Sequence, residues 1–387
     1  MFTLESKHGN VIVYAETIEQ EAISQILTMA NSPLGENANI RIMPDAHAGA
    51  GCVIGTTMKI TDKICPNLVG VDIGCGVDLI KTDIDFENRL PELDKIIRKY
   101  IPHGMDVHEN EIYFNFSTLH CWDKLSKDVQ NRAKHAMGTL GGGNHFIEAY
   151  KDGYIAVHSG SRNIGLAVAK YYQKLAEQRI ATQNYRLHHE EMLAIEPKFR
   201  EAWLQEHKIT VATDLSYLTG QDMLDYLHDV AIMQKFAIMN RFTMLNIVVA
   251  AMRGQICEHI SSIHNYIDLE NLILRKGAIS AKRDEILVIP LNMRDGMLIC
   301  KGKGNPEWNC SAPHGAGRLY SRSKAKELFT VDEYAETMKN IFTTCVNENT
   351  LDEAPFVYKD YKEIINCIEP TVEILEHIIP IYNFKAN

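Results

Sequence analysis

Five histidines in this chain sit at the ends of short β-branched segments or in glycine-rich turns. They are His47 (Met43-Pro44-Asp45-Ala46-His47-Ala48-Gly49), His145 (Gly141-Gly142-Gly143-Asn144-His145), His158 (Val157-His158-Ser159-Gly160-Ser161-Arg162), His264 (Ile263-His264-Asn265) and His314 (Pro313-His314-Gly315-Ala316-Gly317-Arg318). Glycine lets backbone approach a ligand closely, and loops at strand ends are where sites are commonly built. Others of the sixteen histidines, such as His103, His120, His188 and His189, lie in polar contexts and read as surface imidazoles.

The segments that carry these turns read as strands: Val11 to Tyr14, Val53 to Ile60, Leu68 to Val71, Val77 to Lys81, Tyr154 to Val157 and Ile286 to Ile289. Helices fill the gaps. Thr17 with Gln20 forms a capping box for a helix to about Met29, Asn163 caps another through Ala181, and Thr219 caps a long one toward Met252. In the long helix Leu224, Leu227, Ala231, Met233, Phe236 and Met239 fall roughly on one face and read as core. Strands and helices do not alternate regularly, so the expected class is α+β, with mixed sheets flanked by helices. No linker or low-complexity tract interrupts residues 1 to 387, which reads as a single large domain.

A net charge of −10 excludes a protein that coats nucleic acid through a broad basic face. A local basic site is compatible with it, because residues 271 to 328 hold eleven Lys or Arg against five acids. The longest apolar run, near Met244 to Met252, is far short of the ~20 residues that span a bilayer, so no membrane partner is expected. Nine cysteines with no C-x-x-C pair do not make a disulfide framework and point to a reducing compartment, read as the cytoplasm.

Val69-Gly70-Val71-Asp72-Ile73-Gly74-Cys75-Gly76-Val77-Asp78 places a carboxylate and a thiol three residues apart in a glycine turn. With imidazoles from His145, His158 and His264 it would complete a mixed oxygen, sulfur and nitrogen metal site; ligand type by itself favours zinc. The run Gly138-Thr139-Leu140-Gly141-Gly142-Gly143 lacks a Walker Gly-Lys-Ser/Thr, yet its N–H groups suit phosphate. Arg132, Arg162, Arg318 and Arg322, near the other motifs, add bidentate phosphate donors. Together these features suggest phosphoryl chemistry.

These strings, taken in order, resemble the RtcB-type RNA ligases over nearly the whole chain. They are M-P-D-x-H-x-G around Asp45, G-V-D-I-G-C-G around Asp72 and Cys75, G-T-L-G-G-G-N-H-F-I-E at 138 to 148, H-S-G-S-R at 158 to 162, H-N at 264 and 265, and H-G-A-G-R at 314 to 318. D-E-A-P at 352 to 355 and Tyr358-Lys359-Asp360 extend the match.

The resemblance implies a ligase dependent on manganese and GTP that joins RNA 3′-phosphate or 2′,3′-cyclic phosphate ends to 5′-hydroxyl ends, in RNA repair or tRNA splicing. It makes Asp72, Cys75, His145, His158 and His264 the ligands of two Mn²⁺ ions, with Cys75 bridging. His314 becomes the nucleophile that takes guanylate from GTP, and Asp45 orients its ring. Asn144, Phe146, Glu148, Asn265, Pro290, Asn292, Met293, Gly315, Ala316, Gly317, Tyr358 and Lys385 become the guanylate pocket, and Arg132, Arg162, Arg318 and Arg322 the clamp on RNA phosphates. It leaves room for an activating or release-factor-like protein partner.

Two departures bear on the site. Where the family shows P-G-S-M-G followed by serine, this chain reads Pro290-Leu291-Asn292-Met293-Arg294-Asp295-Gly296-Met297, so Asn292 and Met297 stand where serines are expected. The chain also closes on Phe384-Lys385-Ala386-Asn387 rather than Lys-Gly. Two other readings of the same residues stay open: a dinuclear metal phosphodiesterase or nucleotidyl hydrolase using water, and a non-catalytic accessory protein.

Overall fold

In the computed structural model, described for residues 1–49 and 51–386, two six-stranded sheets and smaller ones are flanked by helices, an α+β architecture. The first sheet runs in the order Phe2–Ser6, Gly9–Val13, Arg41–His47, Ile54–Lys59, Ile273–Lys276, Asn265–Asp268. One pairing, Gly9–Val13 with Arg41–His47, is parallel, so the sheet is mixed. The second runs Ile256–Ile263, Gly76–Thr82, Tyr154–Ser159, Phe146–Tyr150, Pro380–Lys385, Phe342–Thr343.

The first four strands of the second sheet are mutually antiparallel, with Ile263 opposite Gly76, Gly76 opposite Ser159, and Phe146 opposite His158. Antiparallel neighbours alternate direction, so the start of one strand and the end of the next lie at the same edge of the sheet. Cys75 and His145 immediately precede two of these strands, His158 is near the end of the third, and His264 follows the fourth. Four residues separated by up to 189 positions in sequence are thereby brought to one edge.

The helix Gly220–Ala251 packs across this sheet. Its buried stripe contains Met223, Tyr226, Val230, Met233, Phe236, Met244 and Val248, together with Asp229, Asn240 and Arg241. The face expected from apolar spacing is rotated relative to this one: Met233 and Phe236 are buried, whereas Leu224 is 57% and Met239 38% exposed. Polar residues with buried partners set the phase, which a count of apolar residues cannot see.

Other expectations are corrected. Leu68 to Val71 is not a strand: Pro66–Leu68 forms one 3-10 turn, with Pro66 supplying a helical φ at its start, and Gly70 then takes φ +98°. The first helix spans Gln20–Ala30 with Glu19, not Thr17, at its N-cap and no side-chain capping bond. The carbonyl of Thr17 instead accepts from Lys359 Nζ at 3.2 Å. The next long helix starts at Arg162, with Ser161 rather than Asn163 at its N-cap position and no side-chain cap bond, and runs to His189, beyond Ala181. The Thr219 boundary holds as the N-cap of Gly220–Ala251, although its side chain makes no cap bond.

Among the described residues no helix is long and apolar enough to cross a membrane. All nine cysteines are free thiols.

Candidate active site

At the shared sheet edge Cys75 Sγ lies 3.3 Å from His158 Nε2 and 3.6 Å from His145 Nε2. His158 Nε2 is 3.4 Å from His264 Nε2, and His145 Nε2 is 3.2 Å from Asp72 Oδ2. The five expected ligands therefore form one connected cluster, with Cys75, His145 and His158 all buried. Asp72 is seated by Gly160, where a Cβ would fall 2.2 Å from its Oδ1, and it accepts the Ser161 N–H at 2.8 Å.

The donor chemistry fits a metal. His145 Nδ1 is 2.8 Å from the Leu140 carbonyl and His158 Nδ1 is 3.1 Å from the Asn144 carbonyl. A ring nitrogen facing a carbonyl must donate to it, which leaves Nε2 as a bare lone pair when the ring is neutral. Burial pushes His158 and His264 well below the ordinary imidazole range, so both are neutral. The lone pair of neutral His158 thus faces the Cys75 sulfur, an arrangement that a cation relieves. Burial and the Asp72 charge push the thiol well up, so it ionises as metal binds. Burial also opposes charge on Asp72, but His145, Arg162 and the Ser161 N–H outweigh it and hold the carboxyl at about 2.

Beside this cluster His314 Nδ1 lies 2.6 Å from Asp45 Oδ2, a close contact without the alignment of a linear hydrogen bond. Asp45 is fully buried, and its Oδ2 also accepts the N–H groups of His314 and Gly315 at 3.1 and 3.2 Å. Gly317 takes φ +77°, and a Cβ there would sit 2.6 Å from the Asp45 carbonyl oxygen, so only glycine lets this turn close over Asp45. The His314 ring centroid is 4.9 Å from that of His264, which ties the two groups into one site.

A cleft of about 520 Å³ opens over His314. Asn144, Phe146, Glu148, Pro290, Asn292, Met293, Gly315, Ala316, Gly317, Tyr358 and Lys385 line it, as do Arg318 and Arg322. Asn265 does not. Its carboxamide accepts the Gly277 N–H at 3.0 Å and its carbonyl the Gly74 N–H at 2.6 Å, so it braces the metal-side turn.

Glu148 is buried and accepts from Tyr150 Oη at 2.6 Å and Asn383 Nδ2 at 2.7 Å, yet burial still raises its carboxyl to about 7. The Asn292 carboxamide is spent within its own hairpin, accepting the Arg294 and Asp295 N–H groups and donating to Asp295. Met297 is fully buried in an apolar cluster with Val77 and Phe146. Neither departure from the family string presents a hydroxyl to the cleft.

The four arginines divide into two places. Arg318 and Arg322 converge on Glu353 Oε1 at 3.2 and 2.5 Å, although Arg318 lies outside the helix, which begins at Arg322. Arg132 and Arg162 line a separate cavity of about 360 Å³ with Gly142 and Asn163. Arg132 donates to the Met105 carbonyl. The Arg162 guanidinium packs against Gly141, where a Cβ would overlap it, and Nη1 reaches within 3.3 Å of His145 Nδ1.

Glu353 is the cleft residue that spacing arguments passed over, though it stands inside the D-E-A-P string. It is 2% exposed and touches Lys385 Nζ at 3.1 Å and Tyr358 Oη at 2.6 Å besides both arginines. Burial opposes its charge, but Lys385, Arg322 and Arg318 pull the carboxyl down to about 2. His47, flagged by its turn but given no role, also lines the cleft.

Comparison with known proteins follows this geometry. The family model described as tRNA-splicing ligase RtcB matches residues 25–122 and 118–386. The RNA-splicing ligase RtcB of Escherichia coli K12 is 32% identical over 403 residues, covering 92% of each chain. The tRNA-splicing ligase RtcB of Aeropyrum pernix is 26% identical over 438 residues, covering 91% of this chain and 90% of its own. The RNA-splicing ligase RtcB homolog 2 of Entamoeba dispar is 24% identical over 404 residues, covering 84% of this chain and 76% of its own. With the family model spanning most of its length and a relative matched nearly end to end, this chain belongs to the RtcB family.

Proposed function

We propose that this chain is an RNA ligase that joins RNA 3′-phosphate or 2′,3′-cyclic phosphate ends to 5′-hydroxyl ends through a guanylylated His314. The observation that carries the reading is the position of His314: held by buried Asp45, it stands between the Asp72/Cys75/His145/His158/His264 cluster and the cleft.

Neutral His314 attacks the α-phosphorus of GTP; the bond to the β-phosphate oxygen breaks and pyrophosphate leaves. Asp45 keeps the ring oriented and balances the charge it acquires. A 2′,3′-cyclic end first takes up water, its P–O2′ bond breaking to leave a 3′-phosphate and a 2′-hydroxyl; an oxygen of the RNA 3′-phosphate then attacks the guanylate phosphorus and frees the histidine. Attack of the 5′-hydroxyl on the activated 3′-phosphate seals the strand and releases GMP.

Asp72, Cys75, His145, His158 and His264 would hold Mn²⁺, which would supply positive charge to neutralise phosphate oxygens. Glu148, Phe146, Tyr358 and Lys385 form the guanine end of the cleft. Arg132 and Arg162 take RNA phosphate on the far side of the cluster, and Arg318 and Arg322 take phosphate nearer His314. We read residues 1–387 as one RtcB-like domain, because the sheets interleave early and late segments. The free thiols fit a cytoplasmic protein. Incubation with α-labelled GTP and Mn²⁺ tests the reading: an acid-labile label on His314 supports it, and a label on another residue or none at all refutes it. A hydrolase using water would have no need of the Asp45–His314 pair, and an accessory protein no need of the complete ligand set.

A further inference from the structure

We propose that Asn240 and Arg241, neighbours on the long helix, are positioning residues for the metal centre, whose two side chains hold in register the three loops that deliver its ligands. The inference rests on the metal-centre reading above and adds residues to which the reaction itself assigns nothing.

Both side chains are fully buried. Arg241 Nη1 donates to the carbonyls of Gly74 at 2.8 Å and Ser159 at 3.0 Å. Gly74 lies between Asp72 and Cys75 at φ +74°, and Ser159 follows His158, so one guanidinium nitrogen ties the carboxylate–thiol turn to the end of the histidine strand. Asn240 Nδ2 donates to Thr139 O, Ser159 Oγ and Gly160 O at 3.1, 3.2 and 3.1 Å. Its Oδ1 accepts the Gly138 and Thr139 N–H groups at 2.8 and 3.0 Å.

This places the loop before His145 on the same anchor. The Leu140 carbonyl that orients His145 also accepts Ser159 Oγ at 2.9 Å. The fourth strand joins through the Cys75 carbonyl, which accepts the His264 N–H at 2.8 Å.

Arg241 Nε lies 2.7 Å from Asp78 Oδ1, and both side chains are wholly shielded from solvent. Asp78 is held further by Ser261 Oγ at 2.7 Å and His259 Nε2 at 3.0 Å. Desolvating such a pair costs about as much as its attraction returns, and packed apolar side chains often serve stability equally well. A charge kept here at that cost is explained by what it holds in place. The same helix supplies an internal control. Asp229, equally buried, gathers the His120 and Cys121 N–H groups and Tyr172 Oη at 2.8, 3.0 and 2.9 Å, but that loop carries no ligand.

The test uses the metal-free full chain and the variants Arg241→Lys, Asn240→Ser and Asp229→Asn. Mn²⁺ affinity is measured by calorimetric titration, the thiolate-to-metal absorption band with Co²⁺, and the melting temperature for each. Arg241→Lys and Asn240→Ser are expected to weaken Mn²⁺ binding about 10- to 100-fold, the range for partners outside the ligand set, and to dim the Co²⁺ band at limiting metal. Asp229→Asn is expected to lower the melting temperature while keeping wild-type affinity. The proposal is overturned by unchanged affinity in both positioning variants, by equal weakening in Asp229→Asn, or by failure of both positioning variants to fold. Absence of Mn²⁺ and Co²⁺ binding by the wild type would instead refute the metal-centre reading.

Discussion

His314 Nδ1 lies 2.6 Å from Asp45 Oδ2, and that oxygen also receives the backbone N–H of His314 itself. One buried carboxylate thus touches both the ring and the peptide of the proposed nucleophile. Asp45→Asn keeps the side chain's size but removes the charge that balances a modified imidazole. Guanylylation should slow by roughly 10²-fold or more, with the melting temperature retained. Single-turnover labelling with GTP measures this, and a wild-type rate would show that Asp45 only packs the turn.

His314→Ala should take up no guanylate. It should still seal RNA supplied with a preformed 3′-guanylylated end, because that step uses the metal cluster and the phosphate clamp but not the nucleophile. A variant that fails on the preformed end as well would mean that His314 serves the cluster rather than carrying the nucleotide.

Cys75→Ala should lose bound metal and ligation together while remaining folded, since a methyl group cannot replace a thiolate placed 3.3 and 3.6 Å from two imidazoles. Stripping the wild type with chelator should lower its melting temperature: metal at 100 times its Kd stabilises by about 2.7 kcal/mol. Normal metal content in purified Cys75→Ala would contradict the ligand assignment.

The separation of the arginines leads to different expectations for the two pairs. Arg132 lines the cavity away from the cleft, so Arg132→Ala should leave guanylylation intact and lower the salt slope of RNA binding by ~0.7, one single-strand phosphate contact. Arg322→Ala also removes a partner of buried Glu353 and should impair nucleotide use as well. Identical profiles for the two variants would argue against separate sites.

Glu148 and Glu353 should give pH dependences of opposite sign. The Glu148 carboxyl is raised from 4.5 to about 7, so between those values the folded protein keeps a proton the unfolded chain has lost, and stability falls as pH rises. Glu148→Gln should flatten that slope in melting curves taken from about pH 5 to 7. Glu353 is lowered from 4.5 to about 2, so its contribution, about 3 kcal/mol, is present above 4.5 and lost as pH falls toward 2. Acid titration of wild type against Glu353→Gln reads this directly; coincident curves would mean the cations around Glu353 do not stabilise its charge.

The members of the candidate site were legible in the sequence because residue identity and glycine placement are local. Asp72, Cys75 and His145 could be named from their turns, and the Gly315 to Gly317 run marked His314, since these turns require residues that no other side chain replaces. The α+β class followed from the irregular order of strand and helix segments. Glu353 escaped because nothing in its own neighbourhood distinguishes a buried carboxylate from a surface one; its meaning lies in Arg318, Arg322 and Lys385, which come from other segments.

Tertiary structure decided the convergence. Antiparallel alternation of four strands carries Cys75, His145, His158 and His264 to one edge, a relation set by backbone pairing across the sheet rather than by the spacing of the ligands in the chain. It likewise decided the phase of the Gly220–Ala251 helix, where Asn240 and Arg241 face inward because buried carbonyls, N–H groups and the Asp78 carboxylate await them there. Apolar periodicity measures the free energy of removing carbon from water; it is blind to a polar side chain whose partners lie 80 or more residues away and exist only once the sheet has formed.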